Sequence, residues 1–187
     1  NCLYRDNENI MWVGTFKKGI SYYHKHLIRF KHYKHSAEIP NSLPFNDANC
    51  FAEDSKSNIW IGTNGGGLIY FNRQNNTFKT YKNNPADKNS LSNNVIVSMF
   101  IDRREILWVG TYQGGLNSFD GTKFTRYLNN TEDSTSISDN RIWDIFEDSK
   151  QNLWLGTFNG GLNLLDRETG KFKYYKQADS LISSNFV

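Results

Sequence analysis

Apolar residues along this chain fall in short runs that alternate with polar ones and are bounded by Gly, Asn, Asp and Ser. That is the signature of strands and tight turns. No segment holds the 3.6-residue spacing of an amphipathic helix, so none is predicted in the core. One stretch shows the unit. "VIVSMFID" from Val95, "LWVGT" from Leu107, "LNSFD" from Leu116 and "KFTRY" from Lys123 read as four strands, A to D.

The unit recurs. "MWVGTFKKGISYYH", "IWIGTNGGGLIYFN", "LWVGTYQGGLNSFD" and "LWLGTFNGGLNLLD" align Trp12, Trp60, Trp108 and Trp154 at spacings of 48, 48 and 46 residues. An acidic turn precedes each tryptophan, with Asp6, Asp54, Asp102 and Asp148 in register. Aromatic pairs follow: Phe30 and Tyr33, Phe78 and Tyr81, Phe124 and Tyr127, Phe172 and Tyr175. Four strands in about 47 residues predict an all-β chain of β-propeller blades. The predicted blades are 1–45, 46–93, 94–139 and 140–184, with 185–187 starting or completing a further strand.

The glycines fit this reading better than a phosphate loop, because neither G-x-G-x-x-G nor G-x-x-x-x-G-K-[ST] is present and no helix follows them. Gly114 and Gly115 are assigned positive φ in the B–C hairpin. Gly14, Gly62, Gly110 and Gly156 sit where a side chain would collide with a neighbouring blade. The four tryptophans are expected to fill the wedge between sheets.

Composition changes the picture little: 15% aromatic and 37% hydrophobic suits thin stacked sheets. No run of 18 apolar residues and no basic-then-apolar leader is present in this stretch. The final "NFV" repeats the start of strand A at Asn46, Asn94 and Asn140, and the initial "NCLYRD" continues it. The expectation is a piece of a larger, seven-bladed propeller; a closed four-bladed ring is the alternative.

On these residues, "SLSNNVIVSMFIDRREILWVGTYQGGLNSFD" and "SISDNRIWDIFEDSKQNLWLGTFNGGLNLLD" resemble the two-component regulator propeller repeat. The first copy departs, with Lys18 and Ile20 in place of a glycine and a leucine. The resemblance implies the periplasmic sensor region of a Bacteroides-type hybrid two-component regulator. It further implies remaining blades, a small β-sandwich, a membrane helix and a cytoplasmic histidine kinase in the parent chain. By resemblance, the ligand is an oligosaccharide and the output is control of polysaccharide-utilisation genes.

Topology places the D–A connections and the B–C hairpins on one face, and the long loops 34–46, 82–94 and 128–140 make it the candidate recognition face. The hairpin position after "GT" is Phe16, Asn64, Tyr112 and Phe158, so a ring of aromatics can stack on sugars there. Arg141 is a candidate hydrogen-bond donor. Trp143, on strand A where the other copies have Asn1, Asn49 and Val97, is the tryptophan outside the repeat. The competing reading is that all these side chains simply pack.

Other chemistry is weaker. His24, His26, His32 and His35 fall close together without carboxylate or thiolate partners, so no metal or other cofactor is assigned. Cys2 and Cys50, equivalent on neighbouring inner strands, are expected to be free buried thiols rather than a disulfide. The net charge of +3 comes with Lys31, Lys34, Lys79, Lys82, Lys173 and Lys176 on or beside outer strands, where lysine discourages edge pairing, and no nucleic acid is expected. Because Asp6, Asp54, Asp102 and Asp148 recur in every copy, they read as turn residues rather than catalytic ones. A propeller glycosidase or lyase is the minor alternative, and a protein-interaction or homodimerising scaffold the main one.

Overall fold

The computed structural model describes residues 2–5, 7, 10–15, 19–23, 33–179 and 182–187. The chain divides into two units, residues 1–33 and 34–187. In the first unit, β1 (Cys2–Arg5), β2 (Met11–Thr15) and β3 (Gly19–Tyr23) form an antiparallel sheet in chain order. Trp12 on β2 pairs with Tyr4 and Tyr22.

The second unit holds three four-stranded antiparallel sheets, each a meander of sequential strands. The first comprises β4 (Ala48–Glu53), β5 (Ile59–Thr63), β6 (Leu68–Asn72) and β7 (Thr77–Tyr81). The second comprises β8 (Ile96–Ile101), β9 (Leu107–Thr111), β10 (Leu116–Phe119) and β11 (Phe124–Tyr127). The third comprises β12 (Ile142–Glu147), β13 (Leu153–Thr157), β14 (Leu162–Asp166) and β15 (Lys171–Tyr175). Among the described residues the helical element is one 3-10 turn, Gln177–Asp179.

Consecutive sheets stack face to face and bury both faces of their middle strands; all of β9 is buried. Trp60, Leu68, Ile96, Val109, Phe119 and Phe124 share one layer between the first and second sheets. Trp108, Ile142, Ile145, Leu153, Leu155 and Phe172 share the next. Burial of each large apolar side chain contributes about 1.5–3 kcal/mol, which is how a chain of modest hydrophobicity holds three sheets.

The glycine that follows each tryptophan by two residues fits that spacing. A Cβ on Gly62 would lie 2.6 Å from Ile96 Cγ2, and one on Gly110 would lie 2.8 Å from Ile142 Cγ2. The hairpin pair behaves differently from expectation. Gly115 has φ +67°, whereas Gly114 does not adopt positive φ. Gly114 is required by crowding instead, since its Cβ would meet Ser92 Oγ at 2.5 Å and Asn93 Cβ at 2.7 Å.

The acidic turns share one geometry. Asp54, Asp102 and Asp148 each accept two backbone N–H groups through Oδ1, two and four residues ahead. The residue before the last of these takes φ near +60°, at Ser57, Glu105 and Gln151. Oδ2 then accepts the indole N–H of Trp108 or Trp154, at 2.8 and 3.0 Å. That bond from Trp154 first, and Asn152 next, holds the Asp148 carboxyl well below the usual carboxylate range. These carboxylates are engaged in building the turn.

The long D–A loops are built into the fold at both core and backbone. Leu43, Leu91 and Ile137 anchor them in the core. Asn94 and Asn140 turn their Oδ1 atoms onto the backbone N–H of Asn83 and Asn129. Asn46 does the same for His35, and Asn185 for Gln177. Short polar side chains satisfy the loop backbone internally, and rigidity follows.

Candidate functional site

The B–C hairpins and the D–A loops meet on one face through backbone bonds. Gly65 and Gly67 donate to Asn94 O, Gly115 to Asn140 O and Gly161 to Asn185 O. Tyr112 N–H reaches Val95 O and Phe158 N–H reaches Arg141 O, tying each hairpin to its own inner strand.

The inner strands β4, β8 and β12 each begin with an irregularity. Register shifts occur between Ala48 and Cys50, Ile96 and Ser98, and Ile142 and Asp144. The residue stepped over is Asn49, Val97 or Trp143, so the same bulge re-aims three different side chains. Asn49 uses the freedom to donate to Ile96 O of the next sheet at 2.8 Å. Trp143 instead turns toward the hairpin.

There it joins a cluster. Trp143 lies 5.7 Å from Phe158 and 5.8 Å from Phe186 between ring centroids, and Phe158 and Phe186 meet edge to face at 5.2 Å. The three rings stay 41%, 38% and 53% exposed, a geometry that packs them without sealing them. The Arg141 guanidinium sits 4.7 Å over the Phe158 ring. Its Nε and Nη2 donate to Asp139 at 3.0 and 2.6 Å, which fixes its plane. Burial alone would raise the Asp139 pKa, but the bonds from the Arg141 side chain and backbone outweigh it and hold the carboxyl below its ordinary value.

Arg141 also borders an open cleft of about 530 Å³, lined in addition by Gln113, Asn129, Ser138, Asp139 and Asn140. Tyr112, next to Gln113, is 45% exposed.

Of the sequence candidates, the structure therefore brings together Arg141, Trp143 and Phe158, with Tyr112 beside the cleft. Asn64 does not join them; its Nδ2 is held by Asp47 at 3.0 Å. Phe16 lies outside the described residues. Sequence reasoning missed Phe186, Asp139 and Gln113. Phe186 carried no repeat signal, being one residue past Asn185 in a partial copy. Asp139 is readable afterwards, two residues ahead of the single arginine at the start of a strand A.

Elsewhere, His24, His26 and His32 are outside the described residues, and His35 Nδ1 pairs with Leu43 O. No group of potential metal ligands occurs among the described residues. Cys50 is free, with its pKa pushed up to about 11 by burial; the Cys2 side chain is outside those described. Lys79 and Lys173 lie on the outer strands β7 and β15, over the rings of Tyr81 and Tyr175. No described helix is long and apolar enough to cross a membrane.

Comparison with known proteins follows the same lines. Residues 42–65, 90–113 and 136–159 match the two-component regulator propeller family model. No curated protein matches the sequence. The extracellular domain of BT3049 from B. thetaiotaomicron, assigned to a hybrid two-component system, is 25% identical with a TM-score of 0.66. The match covers 92% of this chain and 24% of that one, so the chain spans about a quarter of that structure. The extracellular domain of BT4673 from the same organism, likewise assigned, has 20% identity and a TM-score of 0.63 over 92% and 24% of the two chains. Virginiamycin B lyase from Staphylococcus aureus shares the fold alone, at 14% identity and TM-score 0.54 over 95% and 56%. The segments 42–65, 90–113 and 136–159 are thus two-component regulator propeller repeats, in a fold shared with extracellular domains of B. thetaiotaomicron.

Proposed function

We propose that this chain is part of the periplasmic, ligand-sensing propeller of a hybrid two-component regulator, and that its ligand is an oligosaccharide. The carrying observation is the half-exposed group of Trp143, Phe158 and Phe186 around Arg141, on the face where hairpins and loops converge. Aromatic faces stack on the apolar faces of pyranose rings, and a fixed guanidinium donates to hydroxyls. The recurring aspartates are engaged in turns, which favours binding over catalysis. The remaining blades and downstream domains of the parent chain would complete the ring and carry the signal.

The test is calorimetry of the intact extracytoplasmic region against an oligosaccharide panel. Trp143→Ala or Tyr112→Ala is expected to weaken the binder about tenfold, the equivalent of 1.4 kcal/mol. Absence of binding to every glycan would replace this reading with that of a protein-interaction or homodimerising scaffold.

A further inference from the structure

The cleft beside Arg141 has a chemistry of its own. Its two charged side chains, Asp139 and Arg141, are paired with each other at 2.6 Å, so it carries no net charge. Asp139 Oδ1 accepts both the backbone N–H and the Nε–H of Arg141, and Oδ2 accepts the Nη2–H, leaving the carboxylate little to offer a ligand. What remains open is neutral. The Gln113 amide engages no described residue, Asn129 spends its Nδ2 on Ile137 O but keeps its Oδ1, and Asn140 spends Oδ1 on Asn129 N–H but keeps its Nδ2. Arg141 keeps Nη1.

The cleft therefore presents donors and acceptors side by side. A sugar hydroxyl can both donate and accept, and satisfies such a set. A carboxylate or sulfate only accepts; it would meet no uncompensated cation and would face amide oxygens that it cannot satisfy. The aromatic cluster adjoins the same guanidinium through Phe158, so two adjoining sugar units can be engaged, one in the cleft and one on the rings.

We infer that the Gln113–Asn129–Asn140–Arg141 cleft is a subsite for one unit of an uncharged oligosaccharide, with the next unit on Trp143 and Phe186. The inference rests on the sensor reading above and narrows it. The Asp139–Arg141 pair sets selectivity: it neutralises the guanidinium and holds it flat. Tyr112, the exposed chain neighbour of Gln113, gives the first unit a partial stacking face.

The experiment uses the intact extracytoplasmic region and three oligosaccharide sets, neutral, uronate-containing and sulfated, titrated calorimetrically at low salt. A neutral binder is expected, with Gln113→Ala weakening it about tenfold while the far-ultraviolet circular dichroism is unchanged. Asp139→Asn should unmask Arg141 and shift relative affinity toward the uronate set by at least tenfold. A preference of the wild-type protein for a uronate or sulfated set would overturn the inference and leave the sensor reading standing. So would a neutral binder indifferent to Gln113→Ala. No binder in any set would remove both.

Discussion

Arg167, on the turn after β14, donates through Nη1 to Asp102 Oδ2 on the preceding sheet at 2.9 Å. Its Nη2 donates to Glu147 Oε1 at 2.6 Å, and the three side chains are only 9%, 1% and 3% exposed. Asp102 Oδ2 also accepts the Trp108 indole N–H, so one carboxylate joins a turn, a core tryptophan and the next blade. Arg73 is the equivalent residue on the first sheet, two sheets earlier, bonded to Glu53 with both side chains more than half exposed. The second sheet has Gly121 and Ile101 at these places, and there Tyr70 OH supplies the bond to Asp54.

Removing one member of such a sealed group strands the others. Arg167→Met is expected to cost about 3–5 kcal/mol, because Asp102 and Glu147 lose their buried counter-charge. The triple change that adds Asp102→Asn and Glu147→Gln should recover part of that loss. Urea denaturation reads both, with the midpoint moving and the slope constant. A shift worth under about 1 kcal/mol for Arg167→Met would mean that water reaches the site.

Gly110 tests the spacing between sheets. Its added Cβ would press on Ser98 Oγ, on its own blade, and on Ile142 of the next, so Gly110→Ala should destabilise by about 1–3 kcal/mol. Ile142→Ala removes the Cγ2 that the added Cβ would meet, and so opens room on the opposing side. The double variant should therefore be more stable than the sum of the two singles implies, a coupling that a double-mutant cycle measures. Strict additivity would place the strain elsewhere.

How far the sequence carried these conclusions depends on distance along the chain. Strands, hairpins and the blade repeat were legible, because Trp60, Trp108 and Trp154 recur and their flanking residues alternate. The equivalence of Asn46, Asn94, Asn140 and Asn185 was legible too, though not the amide-to-backbone bond each one makes. The internal bonding of the polar loops was not legible, because serine and asparagine are equally common in solvated segments and in self-bonded ones. The bulge under Trp143 leaves no residue signature, since Asn49, Val97 and Trp143 share only a backbone geometry. Arg167 and Asp102 are 65 residues apart, and nothing local marks them as partners.

The loop architecture gives its own expectation. Asn117, fully buried on β10, accepts the Ser92 N–H through Oδ1 at 3.0 Å and donates through Nδ2 to Ser92 Oγ at 2.7 Å. Asn163 repeats both bonds with Ser138. Asn117→Leu should cost about 1–3 kcal/mol by leaving the Ser92 N–H unsatisfied. Hydrogen exchange should quicken first at loop 82–94, while loop 128–140 keeps its protection through Asn163. Equal loss of protection in both loops would mean that they unfold as one unit.

Cys50 makes stability depend on alkaline pH. The thiol lies on β4 against Gly62, whose added Cβ would stand 2.5 Å from Sγ. Burial raises its pKa from 9.0 to about 11, with a smaller opposing effect of a backbone bond from Gly62. A folded pKa above the unfolded one means that the folded chain binds this proton more tightly. The thiol's contribution is then complete below about pH 9 and is lost as pH rises toward 11. Wild type should lose more stability across that window than Cys50→Ala, which removes the titrating group while tyrosines and lysines titrate in both. Alkylation should stay slow until the same window, because the thiolate is the reactive species. Parallel stability profiles for the two proteins would show that Cys50 titrates as an exposed thiol does.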